Sequence, residues 1–314
     1  MYYLNFGATH IPVSAVSMGG NRLGDEGTDP ALWPPIVRRA LELGVRLFDT
    51  SSSYNQGRSE AILGEVTASW PERTYIATKV GVPVMSNDYP NREFSSATIL
   101  RDAEGSLQRM QRDAFDLYML HSPTVEQLET QDWQVAIDRL KAAGKLRHFG
   151  ISTSDHASGI WAISHGAEFL QADYSILDPS AEEKLLPLAL QHHTGVMVRT
   201  PLARGLLSGK FPIGQALPAG QQWRRPRGDE LQRRLQRVEQ LRFLERPGQT
   251  MAQAAIRFVL RHPAVHCAIP GARTQEQMEA NVSAVDGDLT DEEYDRIRAL
   301  QAQWREEDGT SPAR

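Results

Sequence analysis

Four side chains in this sequence have types and spacing that could carry proton chemistry together: Asp49, Tyr54, Lys79 and His121. Three of them stand at the ends of β-rich runs, VRLFDT, TYIATK and FDLYMLH, and Tyr54 follows Asp49 by five residues in DTSSSYNQGRSE. A free tyrosine hydroxyl, with a pKa of about 10, is a poor acid near neutrality unless a nearby cation favours its anion. Lys79 can supply that cation, and Asp49 can hold Lys79 charged and in place. His121 can donate a hydrogen bond to a substrate oxygen beside Tyr54. The set amounts to a proton donor aimed at a carbonyl oxygen, one half of a carbonyl reduction. The other half is a hydride, which no side chain provides, so a nicotinamide cofactor is implied. Taken singly, each residue has an ordinary structural reading: a helix cap, a solvated strand end, a core histidine. Their joint placement at successive strand ends selects the chemical one.

The elements that must position these groups follow from hydrophobic pattern. Short β-rich runs at 15–20, 45–50, 74–79, 115–121, 147–152, 169–175, 196–200 and 266–271 alternate with amphipathic segments at 31–44, 59–70, 96–112, 125–144, 182–194, 251–262 and 274–285. Ser96 and Gly144 give helix start and stop signals. Eight β-then-α units with right-handed connections predict a closed parallel (β/α)8 TIM barrel, whose functional groups gather at the C-terminal ends of the strands. No GxGxxG follows the first strand, which argues against a dinucleotide-binding open sheet. LNFGATHIPV, within residues 1–13, reads as a hairpin turning near Gly7 and plugging the barrel bottom. The expected organisation is one barrel domain over 1–314, with an insertion at 212–248 and a frayed tail from about 305. The Arg-rich half of the insertion reads as a solvated helix of mixed charge, with a lid over an anionic cofactor as the alternative.

Composition excludes several classes. Lys plus Arg total 34 against 39 Asp plus Glu, a net charge of −5, which argues against nucleic acid or anionic lipid as partner. No apolar run approaches the roughly 20 residues that cross a bilayer, and the first residues lack a signal-peptide pattern. The single cysteine, Cys267, excludes an intramolecular disulfide and a cysteine metal cluster. A cytoplasmic protein without a metal site is expected, and Cys267 reads as a buried, inert thiol. His192, His193 and His262 read as surface or structural, and His148 and His266 as core.

The motifs FDTSSSYNQGRSEAILGE, ATKVG and DLYMLHSP resemble the aldo-keto reductase family, and the resemblance runs from about residue 2 to about residue 285. It implies an NAD(P)H-dependent (β/α)8 barrel in which Tyr54 is the general acid, Lys79 and Asp49 tune it, and His121 orients the carbonyl. VSMGGNRLG resembles the family's first-strand turn, where Gly19 and Gly20 let the backbone approach the nicotinamide and Asn21 borders the substrate pocket. GISTSD implies that Ser152 binds the cofactor carboxamide, with Thr153 in place of the usual Asn, and Gln171 matches the family's carboxamide-binding Gln. PLARGLLSGK resembles the loop around the pyrophosphate, making Thr200, Leu202, Arg204, Gly205 and Lys210 cofactor candidates. IPGARTQEQMEANV resembles the adenosine end, with Gly271, Arg273, Gln277 and Asn281.

Two departures bear on function. Arg199 stands where many members stack an aromatic ring on the nicotinamide, and a guanidinium there would repel the positive ring of the oxidised cofactor, biasing binding toward the reduced form. The alternative is that Arg199 faces a phosphate or a carboxylate. Gly271 replaces the Lys of many NADPH-preferring members and leaves Arg273 as the partner for a 2′-phosphate. The expected cofactor is NADPH, with NADH possible. Asn21, Tyr54, Tyr89, His121 and Trp223 are expected to face the substrate, a small carbonyl compound that the sequence does not name. Two other functions are weighed: a non-catalytic NADPH-binding sensor subunit, and a barrel enzyme forming a Schiff base on Lys79, which a charged lysine beside Asp49 disfavours. Monomer is the default state.

Overall fold

The computed structural model describes residues 1–70, 72, 74–84, 91–153, 155–211, 213–214 and 227–309. Strands β1 (Tyr3–Asn5) and β2 (Pro12–Ser14) pair antiparallel across a tight turn at Gly7–Thr9. Gly7 is required there: its φ is +54°, and a Cβ would lie 2.3 Å from the backbone nitrogen of Gly195. The expected hairpin therefore seats directly on the barrel floor.

Eight strands follow in parallel neighbour order: β3 (Met18–Gly19), β4 (Leu47–Asp49), β5 (Tyr75–Val80), β6 (Phe115–His121), β7 (Leu146–Ser152), β8 (Phe169–Asp173), β9 (Gly195–Arg199) and β10 (Cys267–Ala268). Parallel bridges Val16–Ala268 and Gly19–Gly271 join the first strand to the last and close the barrel. Side chains alternate along each strand with period two, and this sets what lies inside. Leu47, Ala77, Leu117, Met119, Phe169, Met197 and Cys267 form one interior cluster with Phe6, Ile11 and Val13 of the hairpin. Tyr118, Leu120, Leu170 and Val198, at the alternate positions, join the larger layer beneath the helices. Each fully buried Leu, Phe or Met in these layers contributes about 1.5–3 kcal/mol of transfer free energy. The next inward positions after the interior cluster are polar: Asp49, Lys79, His121, Ser152, Gln171 and Arg199. The core thus fixes the phase of the functional set.

Helices α1 (Trp33–Glu42), α2 (Arg58–Thr67) and α3 (Ser96–Met110) follow the first three barrel strands as expected. The expected helix at 125–144 is two helices, α4 (Val125–Thr130) and α5 (Trp133–Ala142). Gln131 is extended, with φ −100° and ψ 148°. The break serves α3: the Gln131 side chain accepts from the Phe94 N–H, and Asp132 accepts from both the backbone N–H and the hydroxyl of Ser96, at 2.8 and 2.6 Å. The helix α6 (His156–Ser164) was not anticipated, although Asp155 caps it by accepting from the Ser158 N–H at 2.7 Å. Then come α7 (Leu185–Gln191), α8 (Gly228–Gln240), α9 (Met251–Leu260) and α10 (Gln275–Val282).

The last helix, α11 (Asp291–Glu307), carries regular structure past residue 305, where the expected tail begins, and residues 310–314 of that tail lie outside the described residues. Its start is a reciprocal capping box between Thr290 and Glu293. Its end is tied down where the Trp304 indole donates to Gln240 and Asp308 accepts from Arg237 at 2.8 Å. Of the Arg-rich half of the insertion, the described part is α8, and residues 215–226 lie outside the described residues. Leu231, Leu235 and Val238 of α8 are buried, Arg233 and Arg237 pair with Asp308, and Arg234 pairs with Glu230. Arg233 and Arg237 thus pair with the end of a neighbouring helix, and Arg234 pairs within α8. Among the described residues, no helix is long and apolar enough to cross a membrane.

Candidate active site

Asp49, Lys79 and His121 are the last inward residues of β4, β5 and β6, and the turn after β4 carries Tyr54 back over them. That turn is conformationally expensive, since Asn55 and Gln56 both adopt left-handed φ, 50° and 58°. Asn55 is held there by donating its amide to the carbonyl oxygens of Leu23, at 2.7 Å, and Asn21, at 3.3 Å. The structure brings the four expected residues together. Lys79 is fully buried and donates from Nζ to Asp49 Oδ1 at 2.6 Å, to the Thr50 carbonyl at 2.7 Å and to Tyr54 Oη at 3.2 Å. Three donors meet three acceptors, which satisfies the ammonium group without water. The Tyr54 and His121 rings meet edge to face, with centroids 5.9 Å apart. Tyr54 is half-buried, so its hydroxyl lies at the boundary between the barrel interior and the mouth.

Several contributors were not anticipated from the sequence. Ser51 Oγ hydrogen-bonds His121 Nδ1 at 3.2 Å and fixes the imidazole ring. Ser52 Oγ donates to the Lys79 carbonyl at 3.1 Å. Asp173, two residues beyond Gln171 on the same face of β8, grips Arg199: Arg199 Nε and Nη2 donate to its two oxygens at 3.1 and 2.9 Å, and Thr200 Oγ1 donates to it at 2.6 Å. Burial alone would raise the Asp173 pKa, but Arg199, Thr200 and Arg204 outweigh burial and hold it below the ordinary carboxylate value. The period-two spacing from Gln171 was the available signal for Asp173. Nothing in the sequence marked Ser51 beyond its place between Asp49 and Tyr54.

Gln171 Nε2 donates to Asp49 Oδ1 at 2.6 Å, and Ser152 Oγ donates to Gln171 Oε1 at 2.8 Å. The positions expected to hold the carboxamide are therefore hydrogen-bonded into the Asp49–Lys79–Tyr54 set.

The model of the aldo/keto reductase family matches residues 15–302. The chain belongs to that family. It is an oxidoreductase of that family. The aldo-keto reductase AKR11C1 of Bacillus halodurans, in its holo form, is 30% identical, with 96% of each chain covered and a TM-score of 0.80. The NADH-specific methylglyoxal reductase of Escherichia coli is 27% identical over 96% of this chain and 98% of its own. An aldo-keto reductase of Klebsiella pneumoniae solved in complex with NADPH is 26% identical, covering 95% of this chain and 94% of that one, with a TM-score of 0.75.

The remaining expected positions of this aldo/keto reductase divide into those the fold gathers at the mouth and those it uses elsewhere. Gly19 and Gly20 are required, though for a nearer reason than cofactor approach. A Cβ on Gly19 would lie 2.7 Å from the Ile269 carbonyl oxygen, and one on Gly20 would lie 2.6 Å from that of Asp49. Gly271 could carry a Cβ at ordinary van der Waals distance from its neighbours, the nearest being Asn21 Oδ1 at 3.6 Å. The Thr153 hydroxyl donates to the Asp155 carbonyl and hydrogen-bonds Ser158 at 2.7 Å, bracing α6. Arg199 faces a carboxylate, as the alternative reading had it, and pairing with Asp173 damps the repulsion expected toward an oxidised ring. Thr200, Ala203, Arg204 and Gly205 all carry positive φ, and the cationic side chains of Arg204 and Lys210 are exposed. Leu202 packs against the core. Gln277 Oε1 accepts from the Arg273 N–H at 2.9 Å and the Asn281 amide donates to the Gly271 carbonyl at 3.3 Å, which folds this segment onto itself. Arg273 lies 3.9 Å from Asp25, itself paired with Arg22 at 3.1 Å. Tyr89 and Trp223 lie outside the described residues. Cys267 is wholly buried, and burial pushes its thiol pKa far up. His148 and His266 are half-buried, not core.

This donor set suits a nicotinamide dinucleotide. Ser152 and Gln171 offer the mixed donor and acceptor pair that a carboxamide needs. The left-handed loop at 200–205 and its cations suit a pyrophosphate, and the half-exposed Arg273 suits a phosphate at the far end. A bound cofactor would supply the hydride.

Proposed function

We propose that this chain reduces an aldehyde or ketone to the alcohol, with NADPH as hydride donor and NADH as a possible substitute, and with Tyr54 as the general acid. The observation that carries the reading is the contact between Lys79 Nζ and Tyr54 Oη at 3.2 Å. A buried cation touching the hydroxyl favours its anion, which makes the hydroxyl a stronger proton donor when charge develops on a carbonyl oxygen. Asp49 keeps the cation in place, and His121, braced by Ser51, orients the carbonyl oxygen beside Tyr54. Ser152 and Gln171 hold the carboxamide, and Thr200, Leu202, Arg204, Gly205 and Lys210 wrap the phosphates. The family includes both an NADH-specific and an NADPH-bound member, so cofactor choice falls to the chain's own residues. Arg273 supports NADPH, because its planar fork suits a 2′-phosphate. The net charge and the single, buried cysteine favour a small soluble substrate and a reducing compartment such as the cytoplasm.

The test is isotopic. NADPH deuterated at the transferable position, incubated with a panel of aldehydes and ketones, should yield alcohol carrying one deuterium at the former carbonyl carbon. NADPH that is consumed without label in any product would overturn the reading.

A further inference from the structure

Arg199, Ser152, Gln171, Asp49, Lys79 and Tyr54 form an unbroken hydrogen-bonded relay across the barrel mouth. Asp173 holds Arg199 by two prongs, leaving Nη1 to donate to Ser152 Oγ at 3.2 Å. A guanidinium only donates, so Ser152 Oγ accepts there and commits its own proton to Gln171 Oε1, 2.8 Å away. An Oε1 occupied in this way fixes the amide, and Nε2 must face Asp49 Oδ1 at 2.6 Å. The reversed amide would set Oε1 against a carboxylate and Nε2 against a hydroxyl that already receives a donor. Asp49 Oδ1 is shared with Lys79 Nζ at 2.6 Å, and Nζ reaches Tyr54 Oη at 3.2 Å. The other Nε2 hydrogen of Gln171 meets Met197 Sδ at 3.3 Å, a weak acceptor that a carboxamide oxygen would readily replace.

We propose that Asp173 and Arg199 are positioning residues that act through Ser152 to fix the direction of the Gln171 amide, so that one side chain serves the cofactor carboxamide and Asp49 together. This rests on the reading of Ser152 and Gln171 as the carboxamide site. It assigns to Arg199 a task other than stacking on the nicotinamide. It also gives Asp173, which touches none of the four proton-transfer residues, a defined effect on them.

The test is a double-mutant cycle on NADPH dissociation constants, measured by quenching of protein fluorescence, with circular dichroism confirming the fold of each variant. Arg199→Met and Gln171→Leu should each weaken NADPH about five- to tenfold, the scale of one hydrogen bond. The double variant should be no weaker than Gln171→Leu alone, within about twofold. The alkaline limb of the kcat–pH profile should move by the same increment in Arg199→Met as in Gln171→Leu, which a purely structural loss would not produce. Asp173→Asn should reproduce Arg199→Met. If Asp173→Asn fails to fold, Asp173→Glu, which keeps the charge and displaces the two oxygens that grip Arg199, should give a smaller loss that is likewise non-additive with Gln171→Leu. Losses that multiply in the double variant, or Arg199→Met binding NADPH as tightly as wild type, would overturn the relay. If neither Ser152→Ala nor Gln171→Leu weakens NADPH, the carboxamide reading falls and the relay with it. If both weaken NADPH while Arg199→Met acts independently, the relay alone is wrong.

Discussion

The Asp49–Lys79 pair is the most exacting place to test the electrostatics of the site, through Asp49→Asn. Lys79 is 0% exposed in its side chain and Asp49 is 6% exposed, and Asp49 is the only carboxylate within ion-pair distance of Nζ among the described residues. An Asn at this position keeps an Oδ1 that can accept from both Lys79 and Gln171, so the hydrogen bonds survive and the charge alone is deleted. Removing one member of a buried pair leaves an uncompensated ion and costs about 3–5 kcal/mol, far above the 0–1 kcal/mol of a surface pair. The folded state of the variant then favours a neutral lysine while its unfolded state still binds the proton. Stability rises with pH wherever the unfolded chain holds more protons than the folded one, so the variant gains on wild type as pH climbs toward the ordinary lysine value and the deficit shrinks. Urea unfolding of both proteins at pH 7 and pH 10 measures it directly. The expected result is a deficit of about 3–5 kcal/mol at the lower pH and a clearly smaller one at the higher. A deficit below about 1 kcal/mol with no pH dependence would refute the account of Lys79 as a buried cation balanced by Asp49.

Two further outcomes follow from named contacts. Arg273→Ala should raise the Michaelis constant for NADPH about tenfold or more and leave that for NADH nearly unchanged, as expected for loss of a charge-assisted phosphate contact. An unchanged NADPH constant would remove Arg273 from the cofactor site. Glu168→Gln addresses acid stability. Burial alone would raise the Glu168 pKa, but His148, Lys141 and the Phe149 N–H bring it down to about 2 from 4.5. A depressed folded value means stability that is present above the unfolded pKa and is lost as pH falls from about 4.5 toward about 2. The Gln variant should therefore be less stable than wild type at pH 7, by about 1–2 kcal/mol after discounting for its exposed side, and should converge with it near pH 2. Chemical unfolding across that range would show parallel curves if the reading were wrong.

The barrel was legible because its strands are buried on both faces and read as compact β-rich runs with turn signals between them. The proton-transfer set was legible because period two places Asp49, Lys79 and His121 in phase with the interior residues Leu47, Ala77 and Met119. What escaped the sequence depends on partners brought together by the fold. The break at Gln131 answers to Phe94 and Ser96 across the neighbouring helix, and the pattern within 125–144 carries no trace of them. The helix α11 buries only Ile297, Gln301 and Trp304, too thin a stripe to stand out, although its Thr290 and Glu293 capping box was readable. Thr153 was placed at the cofactor by resemblance, and only the structure shows its hydroxyl committed to α6. Asp173 and Arg199 lie on adjacent strands yet 26 residues apart in sequence, so their pairing depends on the register of β8 with β9.

The central claim is that Tyr54 gives the proton, and Tyr54→Phe tests it with one atom removed. NADPH oxidation should be followed by absorbance on the best carbonyl substrate of a panel, for wild type and variant side by side, with NADPH binding measured separately. Loss of a general acid should lower kcat by about 10²–10⁴-fold while the dissociation constant for NADPH stays within about twofold. A variant that turns over at the wild-type rate would contradict the account.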